Sequence, residues 1–177
     1  SYFQNTEYAA RDYPKADELT LLAPLKAEIP PEVFTSIYQP PTSNGDGFDR
    51  ENLLEAGRLL TEAGWVLKGQ QRVNTQTGQP LRFELLLPSG GNDQWVMPFQ
   101  HNLQRLGITM DVRQVDISQI TNRLRKRDYD MMPSLWRAAP WPSADLQISW
   151  SSEYINSTYN APGVASPAID SLIDQII

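Results

Sequence analysis

Residues 81–87 read Leu-Arg-Phe-Glu-Leu-Leu-Leu and set the tightest limit on what this chain can fold into. The run becomes continuously apolar toward its end, as in a strand covered on both faces. The next fifty residues dictate the cover. An amphipathic helix is expected over 93–106, with Trp95, Val96, Phe99, Leu103 and Leu106 on one side and Gly107 as its stop. Ile108 to Val115 alternates as a strand, and Asp116 or Ser118 caps a helix carrying Ile120 and Leu124. Tyr129 to Trp136 is the next strand. A β-α-β-α-β order with short connections requires parallel strands joined by right-handed crossovers, so the fold class is α/β.

Upstream, Asp49 is a good N-cap for a helix carrying Leu53, Ala56, Leu60 and Ala63, stopped by Gly64. Trp65-Val66-Leu67 starts a strand, and Val73 to Pro80 carries a Thr77-Gly78 turn that suggests a small hairpin. Before Asp49 the composition changes. Pro14, Pro24, Pro30, Pro31, Pro40 and Pro41 favour extended segments and turns, with a short helix possible from about Pro31 to Ile37. Residues 1–48 therefore read as a proline-rich arm that packs through Leu19, Leu21, Leu22, Val33 and Phe34, and residues 49–177 as an α/β domain. The last helix runs from Ser166 to Ile177, capped by Ser166 and opened by Pro167.

Charge and composition exclude several classes of function. A formal charge of −6 argues against a phosphate-binding surface, so nucleic acid is not expected as a partner. The absence of cysteine removes disulfides, thiolate metal sites and a cysteine nucleophile together. No stretch approaches the roughly 20 apolar residues needed to cross a bilayer. The first residues lack the basic and apolar regions of a signal peptide, no methionine starts the chain, and it stops within a helical pattern. We expect it to be part of a longer protein.

Few residues carry a chemical signature. His101 is the single histidine, mid-helix and without a partner at ligand or triad spacing, which favours a structural or surface role. Gly90-Gly91-Asn92 lacks the lysine and glycine spacing of a phosphate loop and reads as a turn. Asp128 and Asp130 would share one face of a strand, as an acid–base pair would, but Asp128 more simply neutralises Arg125 or Arg127. The basic run from Arg123 to Arg127 suits a helix C-terminus. No cofactor or metal is expected.

The segment from Trp136 to Tyr159 stands apart. Trp136, Trp141, Trp150, Tyr154 and Tyr159 are interleaved with Arg137, Asp145, Gln147, Glu153 and Asn156, on what reads as an irregular loop after a strand's carboxyl end. Open α/β sheets bind ligands at that place, and flat rings with polar tips tolerate varied partners. A satellite hydrophobic cluster pinning the loop to the sheet fits the composition equally well.

Phe48-Asp49-Arg50-Glu51-Asn52-Leu53-Leu54-Glu55-Ala56, with Leu59-Leu60-Thr61-Glu62-Ala63-Gly64-Trp65, resembles the signature of family 5 extracellular solute-binding proteins. Gly78-Gln79-Pro80-Leu81, Leu103-x-x-Leu106-Gly107-Ile108, Asp128-Tyr129-Asp130-Met131 before Trp136, Asn156-x-x-Tyr159 and Ser166-Pro167 come next, in the family's order. The likeness covers residues 48–177, and within the family the chain is most similar to the YejA-type oligopeptide-binding subfamily.

The resemblance implies a lobe of the type II periplasmic-binding-protein fold, with flanking helices on the β-α-β-α-β sheet. It implies no catalysis, a periplasmic location, and a partner membrane permease of an ABC transporter. The ligand would be an oligopeptide held in extended form, enclosed with the missing first lobe of the same protein. Ligand contacts are expected at Trp136, Arg137, Ala139, Trp141, Asp145 and Trp150. Relatives often carry an aspartate for the peptide's ammonium where this chain has Ala139, so Asp145 substitutes through a shifted loop or the amino end is left unclamped. Two alternatives stand beside this reading: a metal chelate or saccharide in place of the peptide, and a hydrolase using Asp128, Asp130 or Asp145.

Overall fold

The computed structural model of the protein describes residues 6–90, 93–135 and 141–177. It divides into two compact units, one of residues 41–123 with 128–133, the other of residues 1–40, 124–127 and 134–177.

The first unit is built on the apolar strand. β3 (Arg82–Pro88) pairs in parallel with β4 (Thr109–Val115), with Leu85 opposite Val112, and α4 (Val96–Arg105) makes the crossover. Leu85, Leu87, Val96 and Met110 form the core, with Phe83, Phe99, Leu103 and Met131 packed against it. Leu86 points to the other face and is buried as completely as Leu85, as the continuous apolar run requires. α4 begins at Val96, three residues later than the periodicity predicts, because Asp93 to Trp95 form the turn that enters it. In α5 (Ile117–Lys126) Asp116 is the cap, accepting from the Gln119 N–H at 2.9 Å.

The third strand is shorter than its pattern suggests. Met131 donates its N–H to Glu84 O at 3.2 Å and accepts from the Leu86 N–H at 2.9 Å, one parallel bridge opposite Leu85. The next rung would need N–H groups from residues 133 and 88, and both are proline. The strand expected over Tyr129–Trp136 therefore ends after that bridge. The β-α-β-α order survives, and its last strand is a single rung.

α3 (Arg50–Glu62) starts where Asp49 accepts the Asn52 N–H. The hairpin sits earlier than expected. β1 (Trp65–Lys68) pairs antiparallel with β2 (Gln71–Asn74) across Gly69-Gln70, and the Thr77-Gly78 turn only folds Pro80 back onto Val73. Arg72 binds these pieces together from a buried position. Its guanidinium donates to Leu106 O, Trp65 O and Thr61 Oγ1 at 2.9–3.0 Å. Gly107 has φ +80°, and a Cβ there would stand 2.9 Å from the Arg72 backbone nitrogen. Residues 42–48 are tied to the same unit: Asn52 donates to Thr42 O, Asn102 donates to Gly47 O, and the Arg105 guanidinium lies 4.7 Å from the Phe48 ring centre.

The outer margin of β4 pairs with no strand among the described residues. The charged residues of β4 are paired across to β3: Asp111 accepts from Arg82 at 2.5 Å, and Arg113 lies 3.6 Å from Glu84.

The second unit is helical. α1 (Ala16–Leu22) and a 3₁₀ turn (Ala23–Leu25) precede α2 (Glu32–Thr35). Proline brackets α1 instead of preventing it, with Pro14 before it and Pro24 after it. α6 (Asp145–Trp150), a 3₁₀ turn (Ser152–Tyr154) and α7 (Pro167–Ile173) complete the unit, so the stretch read as one irregular loop holds two helical pieces. Ser166 caps α7 with Pro167 in its first turn, and the helix ends at Ile173. No helix among the described residues is long and apolar enough to cross a membrane.

Candidate functional site

The aromatic segment belongs to the helical unit. Trp136, Arg137 and Ala139 lie outside the described residues. Trp141 is 62% exposed, so its ring is largely in solvent. Leu146 and Gln147 donate their N–H groups to Ser143 O and Ala144 O, which turns the chain into α6. Asp145 opens that helix as an exposed carboxylate, and Trp150, partly buried, closes it. Five residues along a helix amount to about 500°, so Asp145 and Trp150 stand on different sides of α6.

A hydrogen-bond network centred on a buried asparagine after α6 went unseen in the sequence. Asn160 is fully buried, donating to Ser151 O at 3.1 Å and Val164 O at 2.8 Å while accepting from the Val164 N–H at 2.9 Å. Asp170 receives both the N–H and the hydroxyl of Ser152, at 2.8 and 2.5 Å. The Ser152 hydroxyl, then its N–H, hold the Asp170 carboxyl below the ordinary aspartate range. Arg127 donates to the carbonyls of Ile155, Asn160 and Ala161. It has φ +52°, a left-handed conformation that costs a non-glycine residue about 1–2 kcal/mol, and these bonds offset that cost. Gly163 lies beneath the guanidinium, where a Cβ would come within 2.7 Å of Nη1. Buried Asn160, partly buried Asp170 and exposed Arg127 thus fasten an irregular segment, and Tyr159 is held out at 69% exposure. Asn160 and Gly163 flank Ala-Pro in Asn-Ala-Pro-Gly, a turn composition that was the one available signal.

The acid–base candidates have structural partners. Asp128 accepts from Arg123 at 3.2 Å, so its cation is Arg123 and neither Arg125 nor Arg127. Asp130 accepts the Glu84 N–H at 2.9 Å. Arg123 also reaches Glu84 at 2.8 Å, and that bond holds its guanidinium above the ordinary range. The basic run is therefore divided, Arg123 serving the sheet and Arg127 the loop carbonyls. His101 is exposed on α4, and Gly91 and Asn92 lie outside the described residues. Among the described residues no group of three or more His, Asp or Glu is placed to hold a metal ion.

Comparison with known proteins bears on what such a unit belongs to. The model for the middle part of the bacterial extracellular solute-binding proteins, family 5, matches residues 22–157. The chain is 77% identical over its whole length to YejA of Escherichia coli K12, an uncharacterized protein, and covers 29% of it. It is 37% identical to a probable peptide-binding protein, also named YejA, of Agrobacterium fabrum, again covering 29% of that protein. The oligopeptide-binding protein AppA of Bacillus subtilis, solved with a nonapeptide, matches 90% of this chain and 33% of its own at a TM-score of 0.58 and 18% identity. The chain thus spans under a third of the length of the relatives it matches. That match across residues 22–157 and the fold it shares with AppA agree with the motif order read from residue 48 onward, and the chain belongs to the bacterial extracellular solute-binding proteins of family 5.

Proposed function

We propose that the chain is part of the substrate-binding component of an ABC importer, capturing oligopeptides or peptide-like compounds in the periplasm. The observation that carries this reading is the family match over residues 22–157, and the relative named a probable peptide-binding protein supports its peptide part. The ligand contacts are Trp136, Arg137, Ala139, Trp141, Asp145 and Trp150. Trp141 fits the role because it offers a flat apolar ring to solvent beside a fastened segment. Ala139 has no carboxylate for a peptide ammonium, so Asp145, exposed at the start of α6, takes that charge. A buried ammonium without a partner would be costly. The remainder of the polypeptide supplies the other lobe, which closes over the ligand before a membrane permease receives it.

Mass spectrometry of ligand carried through purification of the full-length polypeptide tests the reading. Peptides are expected, and a mixed peptide library should shift the tryptophan fluorescence. Trp141→Ala should weaken binding at least tenfold. Recovery of a saccharide or metal chelate, with no response to peptides, refutes the peptide assignment.

A further inference from the structure

Residues 6–40 contain no buried side chain. α1, the 3₁₀ turn after it and α2 bury no residue fully, with Leu22, Leu25 and Phe34 half-buried, while Tyr8, Tyr13, Leu19, Leu21, Val33 and Tyr38 are 40–72% exposed. A seven-residue helix is too short to hold itself in water, because helices below about 12–15 residues are marginal even in favourable sequences. The one cap bond, from the Lys15 N–H to the Glu18 carboxylate at 2.7 Å, adds only about 1 kcal/mol. A segment with definite helices, only half-buried apolar residues and this much exposed apolar surface is stable only when another surface covers it.

We infer that residues 8–38 are a docking strip covered by the part of the same polypeptide that lies outside these 177 residues. Three observations select that occupant. The relatives are more than three times as long as this chain, so most of the available surface is on their remaining residues. A tethered partner also acts at high effective concentration, which a separate molecule lacks. The apolar residues are strung along some thirty positions in place of one compact self-complementary patch, so the surface suits a long neighbouring face better than a second copy. Carboxylates outnumber cations in the strip, as Asp12, Asp17, Glu18, Glu28 and Glu32 stand against Arg11, Lys15 and Lys26. An acidic strip is repelled by anionic lipid, which removes the membrane surface as occupant.

Thiol labelling of the full-length polypeptide tests the assignment, since this stretch has no cysteine of its own. Leu21→Cys and Tyr38→Cys are compared with Gln76→Cys in the exposed Asn74–Gly78 turn, each read on its own peptide by mass spectrometry. The two strip positions should label at least tenfold more slowly than the turn, at every protein concentration. Equal rates overturn the inference, as does protection that disappears on dilution, which would assign the strip to a second copy. Hydrogen exchange on the unsubstituted protein gives a check that needs no variant. The N–H of Leu19, bonded to Lys15 O, should exchange far more slowly than a frayed helix allows, and exchange at the frayed rate overturns the inference. Neither measurement involves ligand, so the inference stands or falls apart from the peptide assignment.

Discussion

Removing the Asn160 amide should unfasten the segment after α6, because three bonds meet there on a side chain with no solvent exposure. Asn160→Ala leaves the carbonyls of Ser151 and Val164 and the N–H of Val164 without these partners. A buried group left unsatisfied costs about 1–3 kcal/mol, and partial relaxation brings the expected total to about 3 kcal/mol. At about 2–4 °C per kcal/mol for a chain of this size, Tm falls by roughly 6–12 °C. Asn160→Asp is the sharper variant. It keeps the shape and the acceptor for Val164, but when ionised it turns an anionic oxygen toward two carbonyl oxygens. Burial and those carbonyls raise the introduced carboxyl's pKa in the folded state, so its protonated form is favoured there. The variant is therefore closest to wild type below the free aspartate range near about 3.9 and loses ground as pH rises through it. Urea titrations of wild type and both variants at pH 7 and pH 4 supply the measurement. A loss under about 1 kcal/mol for Asn160→Ala, or an Asn160→Asp protein equal to wild type at pH 7, refutes the reasoning.

Asp170→Asn should lower stability at neutral pH, and the gap to wild type should close as pH falls. The depressed carboxyl contributes fully above about 4 and loses its contribution as it takes up a proton, so a gap constant from pH 7 to pH 2 in denaturant titrations contradicts the role given to Ser152. Arg72→Lys keeps the charge, but one ammonium cannot reach three acceptors set for a planar fork, and a loss of about 2 kcal/mol is expected. Equal stability of the two proteins would reduce Arg72 to a charge. Gly107→Ala meets the Arg72 backbone nitrogen at 2.9 Å and should cost about 2–4 kcal/mol, whereas Gly78→Ala, with nothing within 4 Å, should cost about 1 kcal/mol. Matching thermal shifts for the two alanine variants would mean that the space around Gly107 is not confining.

How far the sequence discloses this molecule depends on the range of the interaction concerned. Asp49, Asp116 and Ser166 each act on the turn directly after them, so their caps are legible. Leu85, Leu86 and Leu87 announce a two-sided strand because burial on both faces leaves no polar alternation. The short third strand is less obvious. Pro133 is visible at once, but its effect depends on a register that also calls on the N–H of residue 88, another proline, and only the bridge at Met131 supplies that register. Arg72 and Arg127 reach acceptors 34 residues away at most, and nothing in their local pattern separates them from surface cations. Of the segment read as a ligand wall, Trp141, Asp145 and Trp150 fall on or just before one short helix. Asn160, which fastens the irregular stretch beyond that helix, belongs to a class of residue that usually marks exposed turns.

The charged margin of β4 has a consequence for handling the protein. A strand edge that pairs with nothing among the described residues invites pairing with a copy of itself, and the charged side chains of Asp111 and Arg113 on that strand oppose it. With Arg82 and Glu84 these charges sum to zero, so the protection is the hydration the charged groups would lose on pairing and not long-range repulsion. Self-association through this edge should therefore depend little on ionic strength, unlike assembly through matched charges.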